Sequence, residues 1–587
     1  MYVGRSPLMF KLFSVLVTII FIGCSGLSDL RQTGLIKGKQ KSQYAAKSKK
    51  YMISTQGSET TRAAKYVFDQ GGNIYDAAVA ASFAISVERP HSTGLGGGGF
   101  MLIHSEKSKE DTAYDFREMA PRMANQHMFV DQNGKQIKEK SLTGPFASGT
   151  PGMVAGVLAV HTKFGKLPLS VVMKPAIDLA KNGFKVYPAL ALAIKKSAKK
   201  LCQFPASKKI FLKSNCAPLK AGQLLVQSDL AQTLQTILEQ GRDGFYKGEV
   251  AKKIIASQKK YHGLMSLRDL AGYKVKLRKP VVGTFRGHKI VSMPPPSSGG
   301  THIIQILNIL ENFDLKKYGP QSHEAIHLTS SAMQIAFADR AKYMGDADFV
   351  SVPIKELISK KYANGLSKKI NLTSALKSSD FPIDFKKIKK ESDHTTHFTI
   401  MDQNGNIVTS TQTINGWFGS SVVAAGTGVV MNNEMDDFAS HVGGVNLFGA
   451  VGGKNNLVEP RKRPLSSMSP TIVYDTNNKP MLALGTPSGT RILTCVMQTI
   501  LNVVEYEMPL WEAVSATRYH HQWSPEEIRI GKPGFTPEVE AALTKMGHKL
   551  KHKSLGCKVQ AINRLSDGSL LGVSDPREEG MSYGPNI

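Results

Sequence analysis

Apolar side chains in residues 60–70 and 74–87 recur every three to four positions, which predicts two helices, and Gly71-Gly72 marks the break between them. The run Gly94-Leu95-Gly96-Gly97-Gly98-Gly99 then leads into the strand-like Phe100-Met101-Leu102-Ile103. Its order is helix, glycine, strand, so it is not a dinucleotide loop, which needs strand, glycine, helix. Glycines placed there predict close approach of backbones. Helical periodicity dominates 152–270, and Pro294-Pro295-Pro296-Ser297-Ser298-Gly299-Gly300 introduces another long helical run from Thr301.

Residues 378–393 are polar, rich in lysine and contain Pro382, which predicts an exposed linker open to cleavage. Beyond it the texture changes to period-two alternation. Residues 396–401 and 407–413 flank Asn404-Gly405 and predict a β-hairpin, with a third strand at 428–431. No internal repeat is evident. The mixture predicts an α/β (α+β) protein.

With 587 residues, 41% hydrophobic and 21% charged, the chain is long enough for two large packed layers and is globular in composition. Lys+Arg 75 against Asp+Glu 46 gives a net charge of +29. The lysines are dispersed and no nucleic-acid-reading motif accompanies them, so the charge predicts a solvated basic surface that attracts acidic substrates rather than a nucleic-acid partner. A non-enzymatic surface protein binding anionic polymers is the alternative that the charge alone would allow.

Arg5 and Lys11 precede the 11-residue apolar run 12–22, too short to span a bilayer and suited to the core of a signal peptide. It ends in Phe21-Ile22-Gly23-Cys24, which resembles a bacterial lipoprotein cleavage site with Cys24 as the lipidated residue. The expected organisation is a leader at 1–23, a Lys-rich tether at 24–51, and an exported protein that is periplasmic, anchored as an outer-membrane lipoprotein, or secreted. Of the remaining cysteines, Cys202 and Cys216 enclose a short Lys-rich loop and are expected to pair. Cys495 lies in an apolar run and is expected to be a buried thiol.

The chemistry centres on Asp393-His394-Thr395-Thr396-His397. A threonine hydroxyl needs an adjacent base to act as a nucleophile. Cleavage after His394 would leave the α-amine of Thr395 beside its own hydroxyl, and an amine with a pKa of about 7.7–8.0 is partly neutral near pH 7 and able to take the proton. Taken alone, a Thr-Thr-His string at a strand start is an ordinary β-prone segment. Its surroundings change that. Thr395-Thr396-His397-x-Thr399, Gly405-Asn406-x-Val408-Thr409-x-Thr411-x-Thr413-Ile414-Asn415 and Phe418-Gly419 span 25 positions. Together they closely resemble the signature of the γ-glutamyltranspeptidase (glutathione hydrolase) family. Further segments agree in order, among them Asp115-Phe116-Arg117-Glu118-Met119-Ala120-Pro121, Asn432-Asn433-Glu434-Met435-Asp436-Asp437-Phe438, Arg463-Pro464-Leu465-Ser466-Ser467-Met468 and Arg518-Tyr519-His520-His521-Gln522-Trp523.

The resemblance implies a four-layer αββα sandwich of the N-terminal-nucleophile hydrolase type, formed jointly by a larger fragment (52–394) and a smaller one (395–587). It implies Thr395 as nucleophile in self-cleavage and in turnover, and Thr413 as its supporting hydroxyl. Arg117, with Ser466 and Ser467, would hold the α-carboxylate of a glutamyl head, and Asn415, Glu434 and Asp437 its ammonium. Backbone N–H groups at Ser488 and Gly489 would stabilise the oxyanion. The implied substrates are glutathione and other γ-glutamyl compounds, with water, amino acids or dipeptides as acceptors and no metal or organic cofactor. A cephalosporin or glutaryl acylase-like amidohydrolase of the same superfamily is the alternative.

Two departures stand out. Ser488 occupies a position where the family has a glycine pair, which keeps the donor only if φ is negative or strain is tolerated. Phe448, on the glycine-rich flap 442–448, replaces a tyrosine that in several relatives latches an asparagine. A looser lid and more hydrolysis than transfer are therefore expected. The adjacent His520-His521 cannot share a metal across one helix face, and Asn371-Leu372-Thr373 fits a glycosylation acceptor without implying one.

Overall fold

The structure, a computed structural model, describes residues 41–381 and 395–586. The leader, Cys24 and His394 lie outside the described residues. Two seven-stranded antiparallel sheets carry the fold. In one the order is Met581–Tyr583, Tyr51–Thr55, Thr396–Asp402, Ile407–Thr413, Gly98–Ser105, Glu110–Asp115 and Lys276–Arg278. In the other it is Ala45–Ser48, Leu570–Ser574, Gln560–Arg564, Pro480–Gly485, Thr471–Tyr474, His288–Ser292 and Val281–Phe285.

Period-two alternation sorts the side chains of the first sheet into two cores. Met101, Ile103, Ile400 and Val408 join the helices Ser58–Asp69, Ile74–Glu88 and Met153–Phe164 on one face. Phe100, Leu102, Met401 and Ile407 face the second sheet, which in turn packs on Gly299–Leu310, His323–Tyr343 and Arg491–Val504. The result is helices, sheet, sheet, helices: the αββα sandwich. Ile74–Glu88 is buried along its whole length, as a helix apolar on every side must be. It starts cleanly because Asn73 and Asp76 form a capping box after the Gly71-Gly72 break.

The hairpin expected around Asn404-Gly405 sits at the centre of the first sheet. Thr396 pairs with Gln412, and Thr411 and Thr413 pair with Phe100 and Gly98 on the next strand. Gly405 takes the positive φ, +101°, that the turn demands. Strands from before the 382–394 segment flank strands from after it on both sides, so the two portions cannot part without opening both sheets. Gly96 and Gly97 are glycines because a Cβ at either would stand 2.2 and 2.1 Å from the carbonyl oxygens of Val430 and Thr413.

Three expectations need correction. The tether does not extend to residue 51: Ala45–Ser48 already pairs with Leu570–Ser574, a partner too distant in sequence for a local pattern to reveal. The third strand shrinks to Val429–Val430, paired with Val423–Ala424 outside both sheets. Cys495 is not a free thiol. It is bonded to Cys557, with Cα atoms 6.5 Å apart, while Cys202 pairs with Cys216 as expected. Among the described residues no helix is long and apolar enough to cross a membrane.

Candidate active site

Thr395 immediately precedes the central strand Thr396–Asp402, and the hairpin register brings it level with Thr413. The two hydroxyl oxygens are 3.3 Å apart, and both residues are buried at the floor of a cleft. Thr413 Oγ1 also accepts the backbone N–H of Asn415 at 2.8 Å, which fixes its rotamer and leaves its own proton to be directed at Thr395. Asn415 adopts φ +69°, and its Nδ2 donates to the carbonyl of Asn433.

His397, two residues along, is not a base. Burial holds its pKa down to about 3, and its nitrogens face the hydroxyls of Thr411, Thr399 and Thr409. Its ring lies against Gly485, where a Cβ would approach it to 2.2 Å, so it packs the strand Thr396–Asp402 onto the strand Pro480–Gly485.

Arg117 enters the cleft from the end of Glu110–Asp115. Its backbone is fixed by Asp115 Oδ1, which accepts its N–H, and by Tyr273, whose hydroxyl donates to its carbonyl at 2.7 Å. The guanidinium donates to Glu434 through Nη1, to Asp437 through Nη2 at 2.6 Å, and to the carbonyl of Pro464 through Nε at 3.2 Å. Glu434–Asp437 is a single 3-10 turn, positioned by the Asn432 side chain. That side chain donates to the carbonyls of Gly96 and Gly149 and accepts from Gly149 and Glu434.

The expected carboxylate-binding arginine and ammonium-binding acids are therefore in direct contact with one another. Burial would lower the Arg117 pKa, but Glu434, Asp437 and Glu118 hold it above its ordinary value. Burial pushes Glu118 up to about 7 and drives Glu434 upward against the pull of Arg117. Both Glu118 oxygens and Oε2 of Glu434 are buried without another hydrogen-bond partner. Their raised pKa values favour a proton shared between the two carboxyls, which would bridge one oxygen of each.

Ser466 and Ser467 also line the cleft. Beside them stands Arg340, which the sequence reading missed. It lies in the helix His323–Tyr343, is buried, and donates through Nε to Ser298 at 3.0 Å and through Nη2 to Ser467 at 3.4 Å. Burial lowers its pKa to about 10. Its sequence signal was an arginine at a helix position whose preceding turn, Ala336 and Phe337, is apolar.

The flap is closed and well tied. Asn446 donates through Nδ2 to Asp437 Oδ1 at 2.8 Å, the Leu447 N–H donates to Asp436 Oδ2 at 2.6 Å, and Gln522 Nε2 donates to the carbonyl of Gly449 at 2.9 Å. Phe448 is buried with its ring against Gly489, where a Cβ would come within 2.2 Å. The Asn446–Asp437 bond ties the flap without the ring hydroxyl that Phe448 lacks. Gly489 and Thr490 line the same cleft as Thr395. Ser488 has φ +115°, a strained value for a non-glycine residue, and its hydroxyl turns away to donate to the carbonyl of Leu555 at 2.5 Å. His520 and His521 are buried, with pKa values lowered to about 3 and 4, and belong to the core.

Taken together, the cleft is lined by a paired threonine, the guanidinium groups of Arg117 and Arg340 and the carboxyls of Glu434 and Asp437, with Glu118 buried beside Arg117. That arrangement fits a small zwitterionic acyl group whose carbonyl reaches Thr395.

Comparison with known proteins gives the same picture. The model of the family described as Gamma-glutamyltranspeptidase matches residues 60–584. The chain is 45% identical over 535 residues, 91% of either chain, to the glutathione hydrolase proenzyme of Escherichia coli (strain K12). Among solved structures, the cephalosporin acylase from Bacillus halodurans superposes with a TM-score of 0.82 at 25% identity, over 92% of this chain and 97% of its own. The Helicobacter pylori gamma-glutamyltranspeptidase superposes with a TM-score of 0.54 at 45% identity, over 55% of this chain and 93% of its own.

Proposed function

The chain belongs to the gamma-glutamyltranspeptidase family, and from that premise we propose that Thr395, exposed as an N-terminus by scission after His394, is the nucleophile of this enzyme. The enzyme cleaves glutathione and other γ-glutamyl compounds. The observation that carries the residue assignment is the pair of threonine hydroxyls 3.3 Å apart in a cleft whose far end holds Arg117, Glu434 and Asp437.

In maturation, Oγ1 of Thr395 attacks the carbonyl carbon of His394. The C–N bond breaks, the α-amine of Thr395 takes a proton, and water opens the resulting ester to leave a carboxylate on His394. Thr413 supports the hydroxyl in that attack. In turnover the free amine accepts the hydroxyl proton as Oγ1 adds to the γ-carbonyl. N–H groups of Ser488 and Gly489 stabilise the oxyanion. The intermediate collapses to a γ-glutamyl ester as the proton passes to the departing amine. Water, an amino acid or a dipeptide then attacks the ester, with the same amine acting again as base.

The glutamyl head divides its charges across the cleft. Arg117, Ser466 and Ser467 take the α-carboxylate, and Asn415, Glu434 and Asp437 take the ammonium. Three carboxyls, Glu118, Glu434 and Asp437, face the one guanidinium of Arg117, and this surplus of negative charge favours a glutamyl head with its ammonium over the glutaryl group of an acylase substrate, which carries no cation. The larger fragment, 52–394, and the smaller, 395–587, remain one folded heterodimer because their strands interleave. Export to the periplasm or beyond, with Cys24 as a lipid anchor, is the corresponding proposal for location. N-terminal sequencing of the smaller fragment from the purified enzyme is expected to begin Thr395-Thr396-His397. Any other start would remove the nucleophile from its terminus and sink the assignment.

The acid cluster sets a pH dependence. Glu118 has its pKa raised by burial to about 7, so the ligand-free site retains a proton that the incoming ammonium must displace. Substrate binding is thus favoured as that proton leaves. KM for a γ-glutamyl anilide is expected to fall by up to about tenfold per pH unit as pH rises toward 7, and to level off above it. In Glu118→Gln this inflection should vanish. A wild-type KM that stays flat from pH 5.5 to 8 would show that no such proton is held.

A further inference from the structure

The strand Pro480–Gly485 runs into the turn 486–490, and its partner Gln560–Arg564 begins opposite it, Gly485 pairing with Gln560. The segment just before that partner, 555–558, has no regular secondary structure, yet it is held to the turn from both sides. The Lys558 N–H donates to Thr486 Oγ1 at 2.7 Å, and Ser488 Oγ donates to the Leu555 carbonyl at 2.5 Å. Between those two anchors stands Cys557, disulfide-bonded to Cys495 in the helix Arg491–Val504, which starts directly after the turn. Cys495, Cys557 and Leu555 form a small buried cluster of their own, and Arg518 Nη1 donates to the Cys557 carbonyl at 3.3 Å.

These ties surround a strained residue. Ser488, at φ +115°, occupies backbone space that L side chains rarely adopt. Left alone, the peptide there would relax and carry its N–H away. A hydroxyl bond to Leu555 opposes that relaxation only if Leu555 is itself immobile. Leu555 is buried outside any strand, and its neighbours Cys557 and Lys558 are tied by the Arg518 guanidinium, by Thr486 and, as the one covalent tie among these, by the disulfide.

We propose that the Cys495–Cys557 disulfide and the segment 555–558 form a positioning brace that holds the strained Ser488 turn in its donor geometry, and so sustains kcat. This rests on the reading of that turn as the oxyanion site. The brace touches no substrate, so its loss should act on the transition state and leave ground-state binding of the glutamyl head alone.

The test measures kcat and KM for γ-glutamyl anilide hydrolysis, with rates expressed per mole of smaller fragment. The Cys495→Ala/Cys557→Ala enzyme is expected to lose about tenfold in kcat with KM altered less than about twofold. Adding Ser488→Gly to it should restore most of that loss, since glycine adopts the positive φ without strain. A merely structural disulfide would not be rescued in that way. Cys202→Ala/Cys216→Ala serves as the control and should leave kcat unchanged. Ser488→Ala, which keeps the disulfide and cuts the tie, should also lower kcat about tenfold. Full kcat in the Cys495→Ala/Cys557→Ala enzyme, or failure of Ser488→Gly to recover any loss, overturns the brace. Were the brace alone mistaken, Ser488→Ala would still lower kcat. Were the turn not the oxyanion site, Ser488→Ala would leave kcat intact.

Discussion

The Thr395→Ala protein is expected to accumulate as one uncut polypeptide and to lose γ-glutamyl anilide hydrolysis by at least about 10⁴-fold. On the proposed assignment, alanine removes the oxygen that attacks the His394 carbonyl and, with it, the oxygen that carries the glutamyl group. No other group in the cleft can replace it. Thr413 is the nearest hydroxyl, but it has no α-amine beside it, and its Oγ1 is engaged by the Asn415 N–H. His397, two residues along the strand, is buried among threonine hydroxyls and held far below its ordinary pKa. The fold itself should survive, because the position lies at the start of a strand whose ladder begins at Thr396. A denaturing gel and an anilide assay read both effects from one preparation. Normal appearance of two fragments together with continued release of glutamate would end the scheme.

How much of this was legible beforehand depended on sequence distance. The hairpin carrying Thr395 and Thr413 could be read because Asn404-Gly405 sets its register locally, and register alone places the two threonines side by side. The helix Ile74–Glu88 could be read for the same reason, its cap and its breaking glycines being adjacent. What escaped depended on partners far along the chain. Cys495 announced burial but not its bond to Cys557, 62 residues away. The strand Ala45–Ser48 resembled a tether because its reason for being a strand is Leu570–Ser574. Arg340 carried no motif, only an unexplained charge in an apolar turn. The contact of Arg117 with the acids was hidden for a chemical reason. Resemblance assigned them to opposite charges of a ligand, whereas within the protein these opposite charges are also partners of one another. Ser488 is the converse case. The sequence posed the question of its φ, and the answer required a carbonyl 67 residues away.

Arg117 carries the second large effect, and two substitutions separate its two duties. Arg117→Lys keeps the charge but replaces a planar fork with a single ammonium, which cannot serve Glu434, Asp437 and the Pro464 carbonyl together or meet a carboxylate through two parallel bonds. Loss of charge-assisted bonds worth about 1.5–3 kcal/mol lowers kcat/KM by about 10- to 150-fold, and the loss should appear chiefly in KM. Arg117→Met removes the charge as well, and leaves the carboxyls of Glu118, Glu434 and Asp437 together without the guanidinium that all three face. Breaking such a buried pair costs about 3–5 kcal/mol. Protonation can relieve part of that cost. Acids whose folded pKa is raised contribute stability below their unfolded pKa and lose it as pH rises through the folded value, about 7 for Glu118 beside Arg117 and higher once that guanidinium, which lowers it, is removed. The deficit in thermal stability relative to wild type should therefore be larger at pH 8 than at pH 6. If KM for the glutamyl substrate were unchanged in Arg117→Lys while only stability fell, Arg117 would be a structural partner of the acids. The α-carboxylate would then have to be held by the guanidinium that stands against Ser467, Arg340.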